Sequence, residues 1–311
     1  MKNFEILADM NCDLGREFTE RYDIRLLPGH LKFPGDVEMP AFVEWEKITK
    51  EDFYAALKKD PDSFSTAPPN SREFADAMEE VVKDGTPLLV MTISSGISGA
   101  YGFALSARES VLEKYPDAEI CVLDTLRFGP GFGLMVIYAA TIRAEGKTLA
   151  ETVEILERDK NKFHQAGWLD DLTFVAKKGR LTHAKAFFGT LAGVKPIGEF
   201  DYNGLTTVIG KAKGTKAAYA ALLDYIEKTV EDPEGQIFFI AQTNRMPQAE
   251  EYRRLIDEKF HPKAIYINDV FPSCGINIGP GLMAAYYMGK PISSDLSEEK
   301  AIIENFLSKG E

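Results

Sequence analysis

Apolar positions in the first half of the chain follow two alternating spacings. Strand-length runs that are largely apolar occupy residues 4–9, 88–93 and 119–124, and residues 22–27 read as a further strand stopped by Pro28-Gly29. Between them, apolar residues recur at helical spacing. Thr49-Lys50-Glu51-Asp52 opens a helix carrying Phe53, Ala56 and Leu57. Asn70-Ser71-Arg72-Glu73 has capping-box character and opens another, running to about Lys83, with Phe74, Ala77, Met78, Val81 and Val82 on one face. A helix is predicted from Ala100 to about Lys114. An apolar one follows Gly129-Pro130-Gly131-Phe132-Gly133, and one capped by Thr148 and Glu151 runs to about Lys162. Residues 32–47 read as a loop or small hairpin, and Ser65-Thr66-Ala67-Pro68-Pro69 as a rigid loop. Unalternating strands separated by helices predict a parallel sheet covered on both faces.

The second half changes pattern. Residues 195–200 and 205–209 flank Asp201-Tyr202-Asn203-Gly204, a hairpin signal. Helix 215–230, strand 236–241, helix 247–260 and strand 264–267 follow. At 311 residues two domains are expected. The expected fold is α/β throughout: an N-terminal parallel-sheet α/β/α sandwich over 1–155 and a C-terminal α/β domain with antiparallel pairing over 156–311.

Composition narrows the function. A net charge of −12 argues against a nucleic-acid binder with a broad basic surface. No apolar run is long enough to suggest a membrane helix, and the start is too short and too soon acidic for a signal peptide, so the cytoplasm is the expected compartment. Cys12, Cys121 and Cys274 are dispersed, as reduced thiols would be. With four histidines, no His-Glu-x-x-His and no Cys-x-x-Cys, no metal is expected. Asp9 and Asp13 beside Cys12 are weighed as metal ligands, but capping or loop hydrogen bonds are favoured.

The chemistry concentrates at Ser94-Ser95-Gly96-Ile97-Ser98-Gly99, directly after the 88–93 run. Glycines there let main chain approach a ligand, and the following helix offers unpaired N–H groups to an anion. Ser98 reads as the helix N-cap. The guest would be a compact anionic head, phosphate or carboxylate. Thr66, one βα unit earlier, suggests a second loop at the same sheet edge. A serine hydrolase or acyltransferase is the alternative. The stretch misses Gly-x-Ser-x-Gly by one residue, and a base would have to be His183 or His261. The glycines at 129–133 are Gly-x-Gly-x-Gly, better suited to close packing than to a dinucleotide. No cofactor is expected. Lys177-Lys178-Gly179-Arg180-Leu181 is a basic turn in an acidic chain, a candidate to meet an anion or acidic partner.

Taken with Ala8-Asp9-Met10-Asn11-Cys12-Asp13-Leu14, Leu123-Asp124-Thr125, Val194-Lys195-Pro196-Ile197 and Gly279-Pro280-Gly281, these segments resemble the DegV family of fatty-acid-binding proteins up to about Gly289. The resemblance implies one long-chain fatty acid held between two domains. Its carboxylate would lie on Thr66 and on Ser94 or Ser95, with Ser98 in the same loop. It also implies a separate fatty acid kinase as partner, with Arg180 supporting phosphoryl transfer. The chain departs from the family pattern at Met10, Ala67, Pro68, Lys178, Ala100 and Asn277, the last standing where the family carries histidine. Phe163, Phe174, Phe187, Phe188 and Ile197 are candidate tail-lining residues, each also suited to plain core packing. A binder of a small phosphorylated ligand remains the third reading.

Overall fold

The structure, a computed structural model, describes residues 3–181 and 193–309. In chain order the elements are β1 (Glu5–Asp9), α1 (Arg16–Arg21), β2 (Arg25–Leu27), β3 (His30–Phe33), β4 (Val37–Pro40) and α2 (Lys50–Lys59). Then come β5 (Ser65–Ala67), α3 (Ser71–Val82), β6 (Leu88–Thr92), α4 (Ala100–Lys114), β7 (Ile120–Asp124), α5 (Gly129–Ala144) and α6 (Leu149–Asp159). The remainder is β8 (Phe163–Leu169), α7 (Thr173–Lys177), β9 (Val194–Phe200), β10 (Thr206–Lys213), α8 (Thr215–Thr229) and β11 (Ile237–Gln242). It ends with α9 (Met246–Phe260), β12 (Ala264–Asp269), α10 (Pro272–Ile278), β13 (Leu282–Met288) and α11 (Ser297–Ser308). The chain divides into two compact units. One comprises 1–46, 62–160 and 271–274; the other comprises 47–61, 161–270 and 275–311.

The first unit is built on a four-stranded parallel sheet ordered β2-β1-β6-β7, as the apolar runs predict. β1 and β6 are buried along their whole length, which is why neither alternates in sequence. The expected capping boxes at Asn70/Glu73 and Thr148/Glu151 are both formed. The 22–27 strand shortens to Arg25–Leu27 because α1 precedes it and ends at Tyr22. Residues 30–40 form the small hairpin, and β5 adds to it antiparallel, giving a separate three-stranded sheet β4-β3-β5.

The second unit holds a six-stranded mixed sheet, β10-β9-β8-β13-β11-β12, in which only β11–β12 is parallel. The predicted hairpin is present. Asp201 Oδ1 accepts from Asn203 N (2.9 Å) and Leu205 N (3.0 Å), and Gly204 takes φ 78°. Within this unit lies a closed polar cluster. Glu199 accepts from Gln165 N (2.6 Å), Phe200 N (2.7 Å) and the Tyr225 hydroxyl (2.8 Å), and meets His164 Nδ1 at 2.8 Å. His164 Nε2 lies 2.7 Å from the Lys290 carbonyl, which can only accept, so that nitrogen carries a proton.

Candidate functional site

The carboxyl ends of β1, β6 and β7 lie side by side, and each runs into a loop. Two aspartates tie these loops together. Asp9, the last residue of β1, accepts from Ile93 N at 2.6 Å through Oδ2, and from Asn11 N (2.9 Å) and Nδ2 (2.7 Å) through Oδ1. Asp124, the last residue of β7, accepts from Ser95 N and Leu126 N, both at 3.1 Å. Ser94 N donates to the Arg127 carbonyl (2.9 Å), and the Thr125 hydroxyl donates to Thr92 O (2.7 Å). The serine loop is therefore fixed from both neighbouring strands.

Inside the loop, Ser94 is buried and its Oγ accepts from Gly96 N (3.1 Å), while Ser95 and Gly96 are exposed. Ser98 Oγ accepts from Ala100 N at 3.3 Å, but the N-cap position of α4 is Gly99. The expected Ser98 cap is thus displaced by one residue. A tight turn, in which Ile97 N and Ser98 N both donate to Ser94 O, occupies the residues before the helix.

Thr66 lies on β5, not in a loop. Its main chain is paired with Leu31 of β3, and its side chain is half-buried. The expectation of a loop at Thr66 fails because 65–67 pair with β3 before Pro68-Pro69 end the strand. Gly29 is required there, since a Cβ on it would stand 2.5 Å from the Ala67 carbonyl.

Several participants were not legible beforehand. Segment 271–274 joins the aspartate loop. Phe271 N donates to Asp13 Oδ1 (3.2 Å), Ser273 Oγ to Asn11 Oδ1 (2.6 Å), and Cys274 Sγ to Asn11 O (3.5 Å). Arg127 is completely buried and donates to Leu126 O (2.8 Å). Polar residues directly after apolar strands are the one signal that marks Asp124 and Arg127.

Burial sets the electrostatics. Desolvation outweighs the three N–H donors to Asp9 and pushes its carboxyl up to about 6. Burial also pushes the Cys12 and Cys274 thiols up, and the charges of Asp9 and Asp13 add to this, so neither is an activated nucleophile. Asp9 and Asp13 act as loop braces. Among the described residues no group of three or more His, Cys, Asp or Glu side chains is arranged to hold a metal ion. The Gly-x-Gly-x-Gly stretch serves packing: a Cβ on Gly133 would lie 2.5 Å from the Cys12 carbonyl.

In the second unit, α8, α9 and α11 form one helical layer, with contacts between α11 and α8 and between α8 and α9. His164 and Trp168 face α8 through Tyr225 and Tyr219, and Ile197, paired with Trp168, shares that side. The opposite face carries a row of small residues across four strands: Gly198, Gly167, Ala284 and Ala241. Tyr286 and Phe239 form the row beside it, with Gln165 bonded to the Tyr286 hydroxyl at 3.1 Å. A Cβ on Gly167 would meet that of Ala284 at 2.3 Å. Phe163 is on this face by strand alternation; Phe174 is half-exposed and packs on Gly279. Arg180, also in this unit, is half-exposed after Gly179 (φ 73°), and its guanidinium donates to Lys178 O. His183, Phe187 and Phe188 lie outside the described residues.

Compared with known proteins, residues 3–290 match the family model described as "Uncharacterised protein, DegV family". The chain belongs to the DegV family. It is 34% identical over 289 residues to DegV domain-containing protein CPE0026 of Clostridium perfringens, covering 93% of this chain and 98% of that one. A DegV family protein from Thermus thermophilus, whose structure is described as one of fatty acid binding, shares 22% identity. Its TM-score is 0.81, over 93% of this chain and 100% of that one. The Streptococcus pneumoniae Fatty Acid Kinase (Fak) B3 protein, solved loaded with linoleic acid, shares 20% identity. Its TM-score is 0.77, with coverage of 93% and 100%. The fold of this chain is thus the DegV fold. Among the described residues no helix is long and apolar enough to cross a membrane.

Proposed function

We propose that this protein binds a long-chain fatty acid as a carrier without turnover, its carboxylate held by the hydroxyls of Thr66, Ser94 and Ser95. The observation that carries this reading is the serine loop. Hydroxyls and exposed main chain collect at the carboxyl end of β6, ahead of the 15-residue helix α4, and are braced by Asp9 and Asp124. The fatty acids held by DegV-fold neighbours support it. The energetics agree. A 16-carbon tail offers roughly 12 kcal/mol of gross burial before ordering costs. A carboxylate leaving water must be hydrogen-bonded, and each charge-assisted bond contributes roughly 1.5–3 kcal/mol.

Hydrolysis needs a base at the serine. Of the three described histidines, His30 meets Glu73, His164 meets Glu199, and His261 closes α9 of the second unit. The reading extends to a kinase partner that would phosphorylate the presented acid, with Arg180 in the basic turn supporting that step. The name of the Streptococcus pneumoniae neighbour supports this. Free cysteines fit a cytoplasmic site of action.

Calorimetric titration with dodecanoate and dodecanol tests the head-group assignment. The alcohol should bind about 10- to 100-fold more weakly, the loss of one charge-assisted bond. Equal affinities would remove the carboxylate from the serine loop.

A further inference from the structure

We propose that anion binding at the serine loop is coupled to the uptake of one proton by Asp9, an inference that rests on the fatty-acid reading of that loop. Asp9 is completely buried, and its three hydrogen-bond donors are all neutral: Ile93 N, Asn11 N and Asn11 Nδ2. Among the described residues no cation pairs with it. The other ionisable groups of this corner are Cys12 and Asp13 on its own loop, Cys274 on α10, and Asp124 and Arg127 around the end of β7. Burial keeps both thiols protonated.

The N–H that Asp9 holds belongs to Ile93, bonded directly to Ser94. An anion on the Ser94 hydroxyl therefore stands within about 10 Å of the Asp9 carboxylate by chain geometry. Through poorly hydrated protein, two like charges at that separation change a proton-binding constant by about tenfold or more. Asp9 starts at about 6 without ligand, so a neighbouring anion carries it into the neutral range. The balance is simple. The free protein and the anion enter as carboxylates, one proton comes from solvent to an Asp9 oxygen, and the complex carries one net negative charge less than the sum of its parts. Because the bound state holds the proton more tightly, binding strengthens as pH falls.

The test is calorimetric titration of the full chain with dodecanoate at pH 6, 7 and 8, in two buffers of different ionisation heat, for wild type and Asp9→Asn. Uptake of about half a proton per site at pH 7 is expected, with affinity about five- to tenfold higher at pH 6 than at pH 8 and neither effect in Asp9→Asn. Binding without proton uptake overturns the inference. So does an undiminished slope in Asp9→Asn, which would assign the proton to the ligand's own carboxyl. Absence of binding of both dodecanoate and oleate at every pH overturns the fatty-acid reading itself. If Asp9→Asn does not fold, the wild-type chain labelled with 13C-aspartate decides. The Asp9 carboxyl midpoint should rise on adding dodecanoate, and an unmoved midpoint rejects the coupling.

Discussion

Replacing Glu199 with alanine should cost the second unit about 3–5 kcal/mol. That is a large part of the roughly 5–15 kcal/mol by which domains are stable. The carboxylate is completely buried and serves four groups: Gln165 N, Phe200 N, the Tyr225 hydroxyl and His164 Nδ1. Alanine leaves the two amides and the tyrosine hydroxyl without their acceptor, and His164 Nδ1 without its partner, in a place water does not reach, and an unpaired buried group costs far more than a made bond gains. His164 is held by Lys290 O on its other nitrogen and stacked on Tyr287 at 5.2 Å, so it has no easy alternative position. Glu199→Gln keeps the shape and one acceptor oxygen, and should cost less. Urea unfolding followed by Trp168 fluorescence in a Trp45→Phe background measures both. A loss under about 1 kcal/mol for Glu199→Ala would show that the cluster is loosely formed or hydrated.

The second large effect falls on ligand binding. Ser94→Ala should lower dodecanoate affinity by about 10- to 100-fold, because it removes a proposed donor and leaves Gly96 N–H without its acceptor. Ser95→Ala separates these causes. Its hydroxyl is exposed, while its amide, held by Asp124, is retained, so the loop should keep its shape and its melting temperature. Affinity should then fall by a smaller factor, about fivefold. Unchanged affinity in the Ser94→Ala/Ser95→Ala double variant would show that the head group lies elsewhere.

Much of the fold is visible in local chemistry. β1, β6 and β7 announce themselves because strands of a covered parallel sheet are apolar throughout, and α3 and α6 because their capping boxes are local. What escapes the sequence is what distant residues decide. β8 contains His164 and Gln165, whose burial makes sense only once Glu199 and Tyr286 are opposite them. β13 is seven residues of Leu282–Met288 with no alternation, indistinguishable by pattern from a buried helix. α11 lies beyond the family match, and its seat is set by Ile303 against Gly210, where a Cβ would stand 2.3 Å away.

The site divides the same way. The serine loop is legible because Ser-Ser-Gly-x-Ser-Gly after an apolar run has few structural uses. The braces are not, since an aspartate closing a strand does not reveal which amides it will hold. Asp9 and Asp124 take theirs from the loop after the neighbouring strand. Thr66 illustrates the opposite error. Prolines after it suggest a loop, yet pairing with Leu31 makes it a strand.

The most direct test of the central claim is native mass spectrometry, with lipid extraction, on the full chain as purified from cells. One long-chain fatty acid per chain, displaced by added dodecanoate, is the result expected. A bare chain that also fails to take up oleate on incubation would contradict it.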